Sequence, residues 1–261
     1  MIAPIKVRWL LRTASDVPEH DDWLSARERA TLARFTAPHR RAEWRLGRFT
    51  AKRALAAGLN GIGDALVRVE VHALANGAPR AFLDGRLLPF AISLSHVGGI
   101  ACCALADAGS ALGCDVEPVA ERPGPFMEDF FTAAERERVA AACEAERGRL
   151  VSLIWSAKES ALKALETGLR LDTREVETVL PHGRPVDGWR PVSVYYRVGR
   201  ITFCGWWRVD GGHVVTVVGR PALPLPHAID AGESPGRGGA PGRTRIAPGK
   251  RGGASILPTL S

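Results

Sequence analysis

Two stretches can be laid on one another, RFTAKRALAAGL (48–59) and IWSAKESALKAL (154–165), with Phe49 on Trp155, Thr50 on Ser156, Ala51 on Ala157 and Lys52 on Lys158. Both read as helices, and each precedes strand-like runs that include a hairpin with a glycine pair, Val97-Gly98-Gly99 in one case and Asp210-Gly211-Gly212 in the other. The pattern predicts a duplicated unit, a long helix on a small antiparallel sheet, and so an α+β fold of two similar subdomains. One difference matters. Arg53 stands where the second copy has Glu159, so only the second copy supplies that carboxylate.

Working outward, helices are expected over 20–35, 39–57 and 133–167, the last interrupted near Gly148. Strands are expected over 66–74, 90–96, 100–106, 111–117, 176–180, 192–198, 201–209 and 213–219. Residues 221–261 are rich in Pro, Gly and Arg, lack periodicity and read as a disordered tail. The expected organisation is therefore an N-terminal subdomain over 1–110, a C-terminal subdomain over 111–220, and the tail. With 46% hydrophobic and 24% charged residues the chain resembles an ordinary globular protein. No apolar run of about 18 residues suggests a membrane span, and the N-terminus lacks the flanks of a signal peptide, so a cytoplasmic location is expected. The five cysteines contain no C-x-x-C and read as buried thiols. The net charge of +7 hints at an anionic partner, but the tail carries +3 of it, too little remaining to argue for nucleic acid.

The chemistry concentrates in LGCDVEPV (112–119). In a strand, Asp115 and Glu117 point to one face, about 7 Å apart, while Cys114 and Val116 point into a core. Two such carboxylates repel unless a cation lies between them, and hard oxygens without His or Cys favour Mg²⁺ or Mn²⁺ over zinc. On the helix WSAKESALKAL (155–165), Glu159 and Lys163 share a face, Lys158 lies on a neighbouring stripe, and Trp155 is placed to shield Glu159 from water. In ISLSHVGG (92–99), Ser95 and His96 precede a glycine turn suited to an anion. In RRAEWRLGRFTAKRAL (40–55), Arg45, Arg48 and Lys52 share a helix face. Each piece alone is an ordinary surface feature; together they suit a metal, a phosphate and its counter-charges.

GCDVEPV, the FFTAAE of 130–135 and WSAKESALKAL, in this order and spacing, resemble the 4′-phosphopantetheinyl transferases of the Sfp type, and SLSHVGG and GRFTAKRAL resemble that family's upstream blocks. The resemblance covers roughly residues 20–220. It implies two pseudo-twofold-related halves in one chain, acting as a monomer. It implies transfer of the phosphopantetheine arm of coenzyme A to a serine of an apo acyl or peptidyl carrier protein, releasing 3′,5′-ADP, in fatty-acid, polyketide or nonribosomal peptide biosynthesis. It implies Mg²⁺ on Asp115, Glu117 and Glu159, with Mn²⁺ a possible substitute. Lys158 and Lys163 would face the pyrophosphate, Ser95 and His96 the nucleotide phosphates, and Lys52 with Arg48 the 3′-phosphate. Glu159, Lys163 and Asp115 would be catalytic, with Glu159 favoured as base over Glu135 or a metal-bound water. The family often has Gly-Lys-Pro where this chain has Gly77-Ala78-Pro79, leaving Arg80 as the nearby cation. Phe126, Phe130 and Phe131 are candidates for a carrier-docking patch or for core. The competing readings are a Mg²⁺-dependent nuclease and a non-catalytic module that binds coenzyme A or a carrier; neither membrane nor nucleic acid is expected as a partner.

Overall fold

The computed structural model describes residues 6–59 and 65–229. The chain runs β1 (Arg8–Thr13), α1 (Ala26–Leu32), α2 (Pro38–Gly58), β2 (Val69–Ala73), β3 (Pro79–Leu83), β4 (Arg86–Leu87), β5 (Phe90–Val97), β6 (Ile100–Asp107) and β7 (Ala111–Pro118). It continues through α3 (Gly124–Phe130), α4 (Ala133–Ala141), α5 (Glu144–Ala164), β8 (Val176–Val179), β9 (Arg190–Tyr196), β10 (Ile201–Asp210), β11 (His213–Arg220) and β12 (His227–Ala228). Among the described residues three sheets form, in the orders β12-β1-β6-β5, β2-β3-β4 and β7-β11-β10-β9-β8.

The two long helices each bury one face. Ala51, Ala54 and Leu55 of α2 pack against Leu10, Val69, Val71, Cys103 and Leu105. Leu153, Ala157, Ala161 and Leu162 of α5 pack against Val176, Val192, Val194, Val214 and Val218. Strand alternation gives β6 and β7 a second apolar face, and there Cys102 and Ala104 meet Cys114, Val116, Val215 and Val217. Trp9 and Trp189 join this cluster edge to face, their rings 5.1 Å apart.

The duplication extends to buried polar groups. Ser25 caps α1 and Thr132 caps α4, each in a reciprocal box with a glutamate three residues on, Glu28 and Glu135. Lys52 of α2 donates to Glu28 Oε2 at 2.5 Å, and Lys158 of α5 donates to Glu135 Oε2 at 2.6 Å. The other carboxylate oxygen accepts a strand N–H in both halves, Val71 at 3.1 Å and Thr178 at 2.7 Å. All four charged side chains are at most 1% exposed. The hairpin turns repeat too, with Gly98 and Gly211 at φ 54° and Gly99 and Gly212 near 81°.

Several expectations are corrected. The helix predicted over 20–35 is only α1, because Ser25 is extended and starts it, although Trp23 and Leu24 are buried as their apolar character requires. The helix predicted over 133–167 breaks at Ala142–Cys143, both extended, and Gly148 lies inside α5 against Ala120. Strand β1 was not anticipated. It creates a sheet edge whose backbone groups need partners, and the segment predicted to be tail supplies them. Leu223 is buried, Trp206 Nε1 donates to its carbonyl, and β12 pairs with β1 in parallel. Residues 221–229 are thus part of the folded body, and the remainder of the predicted tail, 230–261, lies outside the described residues. Among the described residues no helix is long and apolar enough to cross a membrane. Cys102, Cys103 and Cys114 are buried thiols as expected, Cys204 is half-buried, and Cys143 is exposed.

Breaking a buried ion pair strands a charge, whereas replacing both partners by apolar groups removes the desolvation cost as well. Glu135→Gln is expected to lower unfolding stability by about 3–5 kcal/mol in urea titrations. The double variant Glu135→Gln/Lys158→Met should recover much of that loss.

Candidate active site

The site forms where β7 crosses α5. Gly113 allows the approach, because a Cβ there would collide with the carbonyl oxygen of Ser160. With strand and helix this close, Asp115 is brought to Lys163 across 48 residues of sequence. Asp115 is 3% exposed, and its Oδ1 accepts from Lys163 Nζ and from Ser95 Oγ of β5, each at 2.7 Å. Lys163 also donates to the Cys114 carbonyl at 3.1 Å. Ser95 therefore joins the site as predicted. His96, next along β5, lies on the other side against Gly47 of α2 and is exposed.

Glu117 Oε1 accepts from Trp155 Nε1 at 3.1 Å, and Oε2 accepts from Arg122 at 2.5 Å. Trp155 thus contacts Glu117, in addition to its place one helical turn before Glu159. The partner role of Arg122 was missed; it follows a strand end in an irregular segment, where no periodicity announces a contact. Burial pushes the carboxyl groups of Glu117 and Glu159 up to about 7, with the Asp115 charge adding to it. For Lys163, burial is the largest single influence and opposes the charged form, but Asp115, Cys114 and Glu159 together outweigh it and the net shift is upward.

Two carboxylate oxygens, Asp115 Oδ2 and Glu159 Oε1, are buried with no hydrogen-bond partner. Orphaned hard oxygens among acids that disfavour each other's charge are a donor set that suits a divalent cation such as Mg²⁺. Glu117 is turned onto Trp155 and Arg122. Among the described residues no three acidic, His or Cys side chains converge as a finished cage.

Two predicted phosphate ligands are withdrawn from any substrate. Lys158 is fully buried and donates to Glu135 and to the Val176 carbonyl, each at 2.6 Å, so it does not face a pyrophosphate. Lys52 is equally buried on Glu28. The reason is the capping glutamates, which claim both lysines for the fold; Glu135, so engaged, is also no candidate base. Arg48 donates to the Val71 carbonyl and stacks over Trp44, yet it lines a cavity of about 330 Å³ with Asn76, Arg80, Ser93, Lys163 and Glu166. Phe131 is core. Phe126 and Phe130 are half-buried, their rings 5.0 and 5.1 Å from Trp155.

The acids also set a pH dependence. Between the ordinary glutamate value of 4.5 and about 7, the native state holds protons that the unfolded chain has lost. This stabilisation is complete below 4.5 and lost as pH rises through 7. With chelator present, Tm is expected to fall across that window, and Glu159→Gln to flatten the fall. Added Mg²⁺ should raise Tm chiefly above pH 7, as read by thermal melts.

Residues 111–208 match the model of the 4′-phosphopantetheinyl transferase superfamily. No curated protein matches the chain. Among solved structures, the Thermotoga maritima holo-[acyl-carrier-protein] synthase is similar at 24% identity, covering 51% of this chain and 76% of that one, with a TM-score of 0.31. The span matched by the superfamily contains β7 and α5, and with them Asp115, Glu117, Glu159 and Lys163.

Proposed function

We propose that this chain is an Sfp-type 4′-phosphopantetheinyl transferase, moving the phosphopantetheine arm of coenzyme A to a serine of an apo acyl or peptidyl carrier protein. The observation that carries this reading is the ion pair of Asp115 with Lys163, with Glu159 close to both, beside a cavity that Lys163 lines together with Arg48 and Arg80. A diphosphate needs cations and an attacking hydroxyl needs a base, and these side chains are of the types that would supply both.

In the reaction the serine Oγ forms a bond to the β-phosphorus of coenzyme A. The bond from that phosphorus to the bridging oxygen breaks, and 3′,5′-ADP leaves. Glu159, a buried carboxylate close to Asp115 and Lys163, would take the serine proton. Lys163, held charged by Asp115, neutralises the diphosphate oxygens. Asp115 and Glu159, with Glu117 released from Arg122, would hold Mg²⁺ or Mn²⁺, which supplies charge stabilisation on the diphosphate when bound. Ser95, already on Asp115, is placed to contact a phosphate oxygen. The two halves in one chain give one such site, because Arg53 replaces the acid in the first half. The basic body suits acidic carrier proteins, and Phe126 and Phe130 lie beside Trp155 to meet their apolar contacts.

The test mixes protein, Mg²⁺, coenzyme A and an apo carrier and weighs the carrier by mass spectrometry. A gain of one phosphopantetheine is expected. An unchanged carrier mass with cleavage of added DNA would replace this reading with phosphodiester hydrolysis, and coenzyme A binding without transfer would leave a non-catalytic module. Glu159→Gln should lower the rate by about 10²–10⁴-fold with the fold intact, and Lys163→Ala by about 10²–10³-fold. Wild-type turnover in either variant would remove its role.

A further inference from the structure

The last turn of α5 closes with Glu166 N donating to the Lys163 carbonyl at 3.0 Å and Thr167 N to the Leu162 carbonyl at 3.2 Å. The residue that turns left-handed in such a closure is usually glycine, which has no Cβ to crowd the backbone. Here it is Glu166, at φ 56°. A strained non-glycine residue beside a cleft raises the question of what its side chain does.

That side chain reaches back to the N-terminal half. Glu166 Oε1 accepts from Arg80 of β3 at 2.8 Å, and Oε2 accepts from Asn76 Nδ2 at 3.0 Å. Asn76 is itself fixed by accepting the Ala78 N–H at 3.1 Å. All three line the cavity that also holds Arg48, Ser93 and Lys163. The pair is accessible, with Arg80 34% and Glu166 38% exposed, so it is a weak and exchangeable contact rather than a buried strut. An arginine fork that accepts a carboxylate accepts a phosphate by the same geometry.

We propose that Asn76, Arg80 and Glu166 form a latch across the cleft, in which the Glu166 carboxylate holds the edge of Arg80 that a phosphate of the incoming nucleotide takes over. Arg80 then supplies a cation to the phosphate, and Glu166 keeps only its bond from Asn76 to the N-terminal half. The proposal rests on the coenzyme A reading above.

Calorimetric titration with 3′,5′-ADP tests it at low salt. Glu166→Gln should tighten binding about fivefold, because Arg80 no longer has to leave a carboxylate; Arg80→Gln should weaken it by about tenfold. In the double variant the Glu166→Gln gain should vanish. A gain that persists without Arg80 would reduce Glu166 to a nearby negative charge and overturn the latch, as would unchanged affinity in Arg80→Gln. Both side chains are partly exposed, and thermal melts check that the variants fold; if Arg80→Gln does not, Asn76→Ala, which also loosens Glu166, should tighten binding. Phosphopantetheine transfer with no coupling between the two positions sinks the latch alone. Failure of the wild-type chain both to bind 3′,5′-ADP and to modify a carrier sinks the coenzyme A reading and the latch with it.

Discussion

Two buried lysine–glutamate pairs set the frame on which the rest depends. In each half the glutamate caps a short helix, accepts a strand N–H and neutralises a lysine of the long helix. One carboxylate thereby ties three elements together. In the C-terminal half this anchoring has a consequence for the site. With Lys158 drawn inward, the next residue, about 100° further round the helix, is Glu159, and Lys163 lies one turn on along the same face. The structural lysine thus leaves Glu159 and Lys163 on the side of the helix that meets Asp115.

The same frame appears in both halves, but the chemistry does not. β7 carries Asp115 and Glu117 against α5, and burial, with the Asp115 charge adding to it, pushes the Glu117 and Glu159 carboxyl groups toward neutrality. Lys163 and Arg122 each neutralise one acid. Two orphaned oxygens remain, an arrangement with an unsatisfied demand for positive charge. The first half contributes cations and no acid at the matching helix position, where Arg53 stands. Divergence of the duplicated unit thus puts the acids Asp115, Glu117 and Glu159 in the second half alone, while Arg48 and Arg80 of the first half line the cavity that Lys163 reaches.

Much of this was legible in the linear chain. The overlay of Lys52 on Lys158, the Gly-Gly hairpins and the strand alternation of LGCDVEPV follow from local rules, so the duplicated α+β architecture and the placing of Cys114 and Val116 in a core could be read directly. That Asp115 and Lys163 would meet at one site was expected from residue chemistry, with Lys163 on a pyrophosphate; their direct ion pair is what the tertiary structure adds.

What the tertiary structure alone decided concerns partners far away in sequence. Lys52 and Lys158 look like phosphate ligands until Glu28 and Glu135, 24 and 23 residues earlier in the chain, are seen to pair with them in the interior. The parallel pairing of β12 with β1 joins segments more than 200 residues apart, and a Pro-rich stretch shows no sign of it because an edge strand of two residues has no period. The reach of Glu166 to Arg80 and Asn76 is of the same kind. Backbone preference and side-chain alternation are local and are written into neighbouring residues. Which charge a buried cation finds depends on how helices and sheets pack, and that is fixed only when the chain has folded.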